Sequence, residues 1–175
     1  MQIIYWGTRG SIPAPGKDTI KYGGNTTCVE VVFDDGKRII LDAGTGIRPL
    51  GIKLVKSSPS VIDLFITHTH WDHIQGLPFF IPIYIKSESI RIYGCSPTYE
   101  KLEKLLANQM IHDYFPVRFE DLPAHIEFKR VNPDGFKLGN VEVYAIQTNH
   151  PLTTHSFCFK VGRIGGQIPF LANAK

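Results

Sequence analysis

Three histidines and one aspartate lie within six residues in this chain, at His68, His70, Asp72 and His73, and they follow the apolar run of residues 61–67. His68 and His70 are two residues apart, so their side chains point the same way if the chain leaves that run extended. Asp72 and His73 come after the chain has had room to turn and could face a second point nearby. Imidazole nitrogens and carboxylate oxygens suit zinc, iron or manganese. A solvated polar loop is the alternative, but it rarely follows a buried strand with four donors at this spacing.

One further histidine is placed to join this group. His150 follows residues 141–147, whose alternate positions are apolar as in a half-buried strand, and it precedes Pro151. The residue before a proline is held extended, which suits a side chain aimed at a site. Two other histidines are weaker candidates, because we expect His112 to lie in a packed aromatic loop and His155 to lie at the surface.

Short strands mixed with helices are predicted to position these residues. Residues 26–33 and 38–42 predict a hairpin around an Asp-Asp-Gly-Lys turn, with Glu30 on its exposed side. Residues 61–66 are apolar on both faces except at Asp63, which is typical of a strand covered on both sides. The histidine-rich segment would therefore leave the buried end of a strand.

Helices are predicted on both sides of the histidine-rich segment. Residues 47–55 read as a short helix, and the prolines within residues 76–85 predict that any helix there is short or kinked. Ser96 and Pro97 are typical of a helix start, with Ser96 as the cap. The spacing of Leu102, Leu105, Leu106 and Met110 predicts an apolar helix face that packs in the core.

Composition places the chain among ordinary globular proteins. The 175 residues, 43% hydrophobic and 20% charged, predict a single domain over residues 1–175. The net charge of +3 does not by itself indicate nucleic acid, but it permits an anionic substrate. Three widely spaced cysteines favour a reducing, cytoplasmic location, and we expect neither a signal peptide nor a membrane span.

The pattern His-x-His-x-Asp-His after a hydrophobic strand resembles the signature of the metallo-β-lactamase-fold hydrolases. Further motifs occur in the order shown by the phosphodiesterase-like branch, which includes ribonuclease Z and small cyclic-phosphodiester hydrolases: Gly7-Thr8-Arg9-Gly10-Ser11, Gly23-Gly24-Asn25-Thr26, Leu41-Asp42-Ala43-Gly44-Thr45-Gly46 and Asn149-His150-Pro151. The likeness extends to about Phe170. It implies an α/β (α+β) fold of the metallo-β-lactamase type, an αββα sandwich of which this chain would form largely the N-terminal part. Its sheet would be mixed and mostly antiparallel, with helices on one face.

The resemblance also implies a set of ligands. His68, His70 and His150 would hold one metal ion, and Asp72 and His73 would hold a second. Asp72 would also be catalytic, by taking a proton from the nucleophile. The implied cofactor is Zn²⁺, as one or two ions, with Mn²⁺ or Fe²⁺ as alternatives. Metal-assisted hydrolysis follows, because a bound metal ion lets water ionise near neutral pH.

Three more residues lie in the motifs that carry the resemblance. Asp42 would support the metal-binding loop without binding the metal itself, and a simple turn or helix-entry role is the alternative. Arg9 and Asn25 would lie near the metal mouth and bind substrate, since their side chains could meet an oxyanion. The alternative for these two loops is that their glycines only shape turns.

The C-terminal end departs from the resembled pattern, which supplies a bridging aspartate after a later strand and then a final histidine. Here residues 168–173 look like that strand, Asn173 stands about where the aspartate is expected, and no histidine follows. Three explanations stay open. The chain is a fragment, a partner subunit such as that of a homodimer supplies the missing parts, or the second metal has been lost.

The function implied is a metal-dependent hydrolase, and specifically a phosphodiesterase acting on RNA or a cyclic nucleotide. Two cations in a shallow mouth, with Arg9 beside them, suit a small anionic or nucleotide-type substrate. No long basic insertion that could grip transfer RNA is visible, so transfer-RNA processing is disfavoured. The alternatives are hydrolysis of a thioester, lactone or β-lactam, and a non-catalytic metal-binding remnant, which Asn173 favours.

Overall fold

Ten strands form two sheets in the part of the chain that the computed structural model describes, namely residues 1–57, 61–132, 134–161 and the backbone of 166–170. The first sheet contains, side by side in chain order, β1 (Gln2–Gly7), β2 (Cys28–Val32), β3 (Arg38–Leu41), β4 (Ile62–Phe65), β5 (Ser89–Cys95) and β6 (His125–Val131). The second contains, again in chain order, β7 (Phe136–Leu138), β8 (Val141–Thr148), β9 (Thr154–Val161) and β10 (Gly166–Phe170).

Strand direction differs between the two sheets. The second sheet is antiparallel throughout. The first is mixed, because β1, β2 and β3 pair antiparallel whereas β3, β4, β5 and β6 pair parallel. The expectation that this sheet is mostly antiparallel was therefore wrong, since crossover segments connect its last four strands. Parallel strands end at a common edge, so the segments that follow β3 to β6 lie at one edge of the first sheet.

Helices cover one face of the first sheet, and the second sheet covers the other. The helices are α1 (Ile47–Ser57), α2 (Trp71–Ile74) and α3 (Tyr99–Asn108). One apolar cluster joins α1 and α3 to the first sheet through residues such as Leu50, Leu64 and Leu102. A second cluster fills the space between the sheets with residues such as Phe65 and Phe157. The predicted α/β class is confirmed, with helices on one face as expected.

Strand β4 shows why the histidine-rich segment starts from a rigid base. All four of its residues are buried. Leu64 packs in the helix-side cluster and Phe65 in the cluster between the sheets, as the alternation of side chains along a strand requires. The predicted coverage of this strand on both faces is confirmed. Asp63 is compatible with burial because Arg91 donates two hydrogen bonds to it, of 2.6 and 2.8 Å.

Two local predictions have different outcomes. The expected break-up of residues 76–85 is confirmed, since they form two short 3-10 helices, Leu77–Phe79 and Ile81–Tyr84. The predicted cap at Ser96 was wrong, because the helix begins at Tyr99 and the Ser96 hydroxyl instead donates to Glu100. None of the helices in the described part of the chain combines the length and apolar character needed to cross a lipid bilayer.

Glu30 was predicted to be exposed, and this was wrong, because the structure buries it completely beneath α1. Its carboxylate accepts hydrogen bonds from Trp6 Nε1 at 3.1 Å, from Arg38 at 2.9 Å and from the Lys53 ammonium of α1 at 3.1 Å. A buried carboxylate needs such partners. The alternation of side chains along β2 places Glu30 on the face that we expected to be exposed to solvent, but the helices cover that face.

We expect Glu30→Ala to lower the free energy of unfolding by about 2 kcal/mol, because it leaves two cations and the Trp6 N–H without their shared acceptor. The loss is smaller than for a fully buried pair, since Arg38 and Lys53 reach solvent. Urea unfolding measures it. Glu103→Ala on the exposed side of α3 is the control and should change stability by less than about 0.5 kcal/mol. An equal effect of both substitutions would contradict the prediction.

Candidate metal centre

Three imidazoles converge at the edge where the parallel strands end. His68 and His70 follow β4, and His150 follows β8. One ring nitrogen from each lies within 4.8 Å of the other two, close enough to share a metal ion. The ring centroids are 4.6 Å apart for His68 and His70, 4.7 Å for His68 and His150, and 4.9 Å for His70 and His150. The structure thus brings together the three residues that were expected to form the first metal site.

Hydrogen bonds direct one nitrogen of His68 into this group. His68 Nδ1 lies 3.1 Å from the Thr67 hydroxyl, which itself donates to Asp42. Because that hydroxyl has only one hydrogen, it accepts from His68 Nδ1–H, and the lone pair of the imidazole is then on Nε2. His68 Nε2 is buried and has no hydrogen-bond partner among the residues that the structure describes. A buried nitrogen with a lone pair, beside two other imidazoles, fits a metal ion.

Asp42 supports both ends of the histidine-rich segment. It follows β3, is fully buried and has a positive φ of 63°. Its Oδ1 accepts hydrogen bonds from the Thr67 backbone N–H and hydroxyl, both at 2.9 Å, and its Oδ2 accepts one from His73 Nδ1 at 2.7 Å. Asp42 therefore orients His73 directly and His68 through Thr67. This contact pattern is the one expected of a residue that orients metal ligands through hydrogen bonds without binding the metal itself.

Asp72 and His73 lie together beside the three histidines. Both belong to α2, and His73 Nε2 is 3.5 Å from Asp72 Oδ2. The backbone N–H of Ser11 donates to Asp72 Oδ2 at 3.0 Å, which ties the first glycine-rich loop to the helix. His73 also approaches His68, with ring centroids 4.2 Å apart. The two residues expected at a second metal site thus adjoin the first group.

The local environment keeps His68 and His70, the two histidines that directly follow β4, in the neutral form. Burial, and then the neighbouring imidazoles, lower the pKa of His68 to about 3. Burial and His150 also lower the pKa of His70. Burial opposes the His73 cation, but Asp42 outweighs it and raises the pKa of His73. Neutral imidazoles are the form that binds metal, so His68 and His70 are available as ligands at neutral pH.

The cluster lines a cavity of about 350 Å³. Residues from three segments form its wall: Gly10, Ser11, His68, His70, Asp72, His73, Asn149, His150 and Pro151. Ser11, which lines the cavity, and Thr67, which orients His68, are site residues that the sequence analysis did not single out. The position of Thr67 at a strand end, directly before the first histidine, could have pointed to its role. Nothing in the sequence pointed to Ser11, because it makes its contact through the backbone.

Arg9 and Asn25 do not line this cavity. The Arg9 side chain is exposed and its Nε donates to the carbonyl of Ile12 at 2.9 Å. The Asn25 side chain accepts a hydrogen bond of 3.2 Å from the Thr45 hydroxyl, and it lines a separate cavity of about 220 Å³ with Arg48. The Asn25 carbonyl also accepts from the backbone N–H of Arg9. The two residues are therefore neighbours at the border of the histidine cavity.

The remaining histidine predictions differ in outcome. His155 was expected at the surface, and this was wrong, because it is only 8% exposed in β9. Its side chain lies on the same face of β9 as the buried Phe157 and Phe159, because side chains two residues apart share a face of a strand. His112 is exposed and lines a different cavity, away from the histidine cluster. Asn173 lies outside the described residues.

Gly44 allows α2 to pack against the end of β3. A Cβ atom added there would lie 2.3 Å from the Asp72 carbonyl oxygen and 2.6 Å from the Thr26 hydroxyl. We expect Gly44→Ala to displace α2 and to lower the free energy of unfolding by about 2 kcal/mol, since overpacked interiors must shift backbone. Thermal unfolding followed by circular dichroism measures this. Gly16→Ala, whose added Cβ meets nothing within 4 Å, should leave the midpoint unchanged; a smaller loss for Gly44→Ala than for Gly16→Ala would refute the packing argument.

A family model described as "Anti-Pycsar protein Apyc1" matches residues 18–172. The chain belongs to the anti-Pycsar protein Apyc1 family. The match includes every residue of the histidine cluster. Of the residues that line the cavity of this Apyc1-family chain, Gly10 and Ser11 lie outside the matched region and the others lie within it.

Curated relatives of this Apyc1-family chain include ribonucleases Z. The ribonuclease Z of Pyrococcus abyssi is 27% identical over 166 residues, which cover 91% of this chain and 48% of that protein. The ribonuclease Z of Pyrococcus horikoshii is 29% identical over 168 residues, which cover 91% of this chain and 48% of that protein. The chain thus spans about half the length of the curated relatives it matches.

Solved structures share the fold of this Apyc1-family chain. The short form of human tRNase Z superposes with a TM-score of 0.66 at 22% identity, covering 98% of this chain and 68% of that one. The metallo-β-lactamase-fold protein YhfI from Bacillus subtilis gives a TM-score of 0.66 at 18% identity, covering 95% and 60%. The predicted metallo-β-lactamase fold and the ribonuclease Z-like branch are confirmed.

Proposed function

We propose that this chain carries the metal centre of a metal-dependent phosphodiesterase, which hydrolyses a phosphodiester of RNA or of a cyclic nucleotide. The observation that carries the proposal is the convergence of His68, His70 and His150, with the buried His68 Nε2 unpaired within the described part of the chain. That donor set suits Zn²⁺, and Mn²⁺ or Fe²⁺ are alternatives. A divalent cation held by these residues would activate water for attack near neutral pH and would offset negative charge on the phosphoryl group.

The other residues of the cavity have proposed roles in positioning and proton transfer. Asp72 is the proposed proton acceptor for the nucleophile, and the Ser11 N–H holds its Oδ2 in place at 3.0 Å. Asp72 and His73 are also the proposed ligands of a second cation, which Asp42 supports by orienting the His73 ring. The short distance of 3.5 Å between His73 Nε2 and Asp72 Oδ2 supports a shared ligand at that point.

The substrate class rests on the relatives and on the shape of the site. Ribonucleases Z are among the relatives of similar sequence, and their name denotes action on RNA. A cyclic nucleotide offers the same phosphodiester in a small molecule that fits a cavity of about 350 Å³. We propose that Arg9 and Asn25 contact the part of the substrate that extends beyond this cavity, because Gly10, next to Arg9, lines it.

Two finer inferences concern the setting of the protein. We infer a cytoplasmic location, because Cys28, Cys95 and Cys158 are all unpaired thiols, which suits a reducing compartment. We also infer a homodimer. Strand β1 is the outermost strand on one side of the first sheet and exposes Tyr5, and an exposed outer strand can pair with a strand of another chain. Sedimentation velocity of the purified chain tests the inferred homodimer directly.

Hydrolysis assays on the purified chain test the proposed function. The chain, loaded in turn with Zn²⁺, Mn²⁺ and Fe²⁺, is incubated with 3′,5′-cyclic mononucleotides and with short single-stranded RNA, and a thioester and a lactone serve as comparison substrates. We expect hydrolysis of a phosphodiester that a chelator abolishes and added metal restores. Hydrolysis of the thioester or lactone in preference to every phosphodiester would overturn the proposal, as would activity that the chelator leaves intact.

A further inference from the structure

A second cavity, of about 310 Å³, opens at the same edge of the first sheet as the histidine cluster. The residues that end β5 and β6 form one side of it, and two residues of the second sheet form the other: Cys95, Ser96, Arg130, Val131, Asn132, Ala145 and His155. Because parallel strands lie about 4.8 Å apart, the ends of β4 and β6 are separated by about 10 Å. We call this space the His155 cavity.

His155 supplies a buried polar atom without a partner. The side chain is 8% exposed, and its Nδ1 makes no hydrogen bond with the described residues. Burial lowers the pKa of His155, so the ring is neutral and has one donor and one acceptor nitrogen. Buried polar groups are nearly always paired in folded proteins. His155 also lines the cavity, so an occupant of the cavity would lie against an imidazole with one buried nitrogen still unpaired within the described residues.

The other residues of the cavity offer uncharged hydrogen bonding and apolar contact. Arg130 donates to Ser96 at 2.9 Å and pairs with Glu100, so the charge of its guanidinium is balanced. Burial raises the pKa of the Cys95 thiol to about 12, and the thiol stays neutral beside Val131. The bonds to Ser96 and Glu100 use two of the five N–H groups of Arg130, so three are available to a ligand. This combination favours a neutral, flat and polar-edged group over a free anion.

We propose that the His155 cavity binds the nucleobase of the nucleotide whose phosphodiester lies at the histidine cluster. A nucleobase is uncharged, presents apolar faces that stack on side chains such as Arg, and carries donors and acceptors along its edge. The His155 ring and the Asn132 amide can pair with that edge, while Val131 and Ala145 contact a face. The separation of about 10 Å between the ends of β4 and β6 is one that a single nucleotide can bridge. This inference rests on the proposed phosphodiesterase function.

Ligand binding to the metal-free chain tests the proposal separately from catalysis. Uridine and adenosine 5′-monophosphates, and ribose 5-phosphate as a base-free probe, are titrated and followed by NMR. We expect His155→Phe, which keeps the ring but removes both nitrogens, to weaken binding of at least one nucleotide by about tenfold. Binding of ribose 5-phosphate should stay unchanged, and His155→Gln should recover part of the nucleotide affinity. His125→Phe, at the exposed start of β6 and at the opposite end of that strand from the His155 cavity, is the matched control.

Each other outcome contradicts the proposal. If His155→Phe weakens nucleotide and ribose 5-phosphate equally, the cavity binds phosphate and not a base. If neither changes while thermal unfolding shows a folded protein, His155 is only a structural residue. In the catalytic assay, His155→Phe should raise KM for a cyclic nucleotide about tenfold and leave hydrolysis of bis(p-nitrophenyl) phosphate unchanged. A wild-type chain that hydrolyses neither substrate would refute the phosphodiesterase function, whereas the binding titration would still decide the role of the His155 cavity.

Discussion

Substituting His70 with alanine is expected to remove metal binding and to lower kcat/KM for phosphodiester hydrolysis by more than about 100-fold, since changing even a supporting residue behind a metal ligand costs 10–100-fold. His70 is exposed, so its loss should leave the fold intact. Only His68 and His150 would remain of the three converging imidazoles, and two ligands hold zinc poorly. Elemental analysis after dialysis against metal-free buffer gives the metal content per chain, and initial rates give kcat/KM.

The matched control for this experiment is His125→Ala. His125 is an exposed histidine at the start of β6, at the opposite end of that strand from the edge that carries the histidine cluster. It should retain full metal content and activity. Activity that survived His70→Ala would contradict the proposed metal centre and every hydrolase function that depends on it.

Replacing Asp42 with alanine is expected to weaken metal binding by about 10–100-fold, although we expect Asp42 to support the ligands and not to bind the metal itself. The substitution removes the acceptor of His73 Nδ1 and of the Thr67 hydroxyl that orients His68. It also leaves buried donors unpaired, which should lower the free energy of unfolding by about 3 kcal/mol. Zinc titration with a competing chelator and urea unfolding measure the two effects.

Asp42→Asn separates the loss of charge from the conformational effect. Asparagine tolerates the positive φ of 63° at this position better than alanine does, but it offers only one oxygen to the three donors. We expect its metal affinity to lie between those of wild type and Asp42→Ala. Asp18→Ala, at an exposed position, is the surface control. Unchanged metal affinity in Asp42→Ala would show that His68 and His73 keep their orientation without this carboxylate.

Local patterns in the sequence were sufficient to place His68 and His70 on one side of an extended segment and His150 at a strand end, whereas the expectation that the three meet came from the resemblance to the metallo-β-lactamase-fold hydrolases. The period-two spacing of His68 and His70 after an apolar strand, and the position of His150 before Pro151, depend only on the geometry of short segments. The hairpin of β2 and β3 and the break-up of residues 76–85 by prolines have the same local origin. These predictions succeeded because neighbouring residues alone determine the backbone there.

Burial of particular polar side chains depended on the tertiary structure. Glu30 and His155 were both expected to be exposed, and both are buried. Alternation along a strand tells which residues share a face, but it does not tell whether a helix or another sheet covers that face. The same limit applies to Arg9 and Asn25, since the cavity that each one borders is formed by segments distant in the chain.

The sequence by itself therefore determined the fold class, through the resemblance to the metallo-β-lactamase-fold hydrolases, and the histidine, aspartate and strand positions from which a metal centre is proposed. The tertiary structure decided that Thr67 and Asp42 orient His68 and His73, and that Ser11 holds Asp72. It also decided that the strands β3 to β6 run parallel and end at one edge, where the His155 cavity adjoins the histidine cluster. Hydrogen bonds between residues 25 to 61 positions apart form only when the strands pack, so no local pattern encodes them.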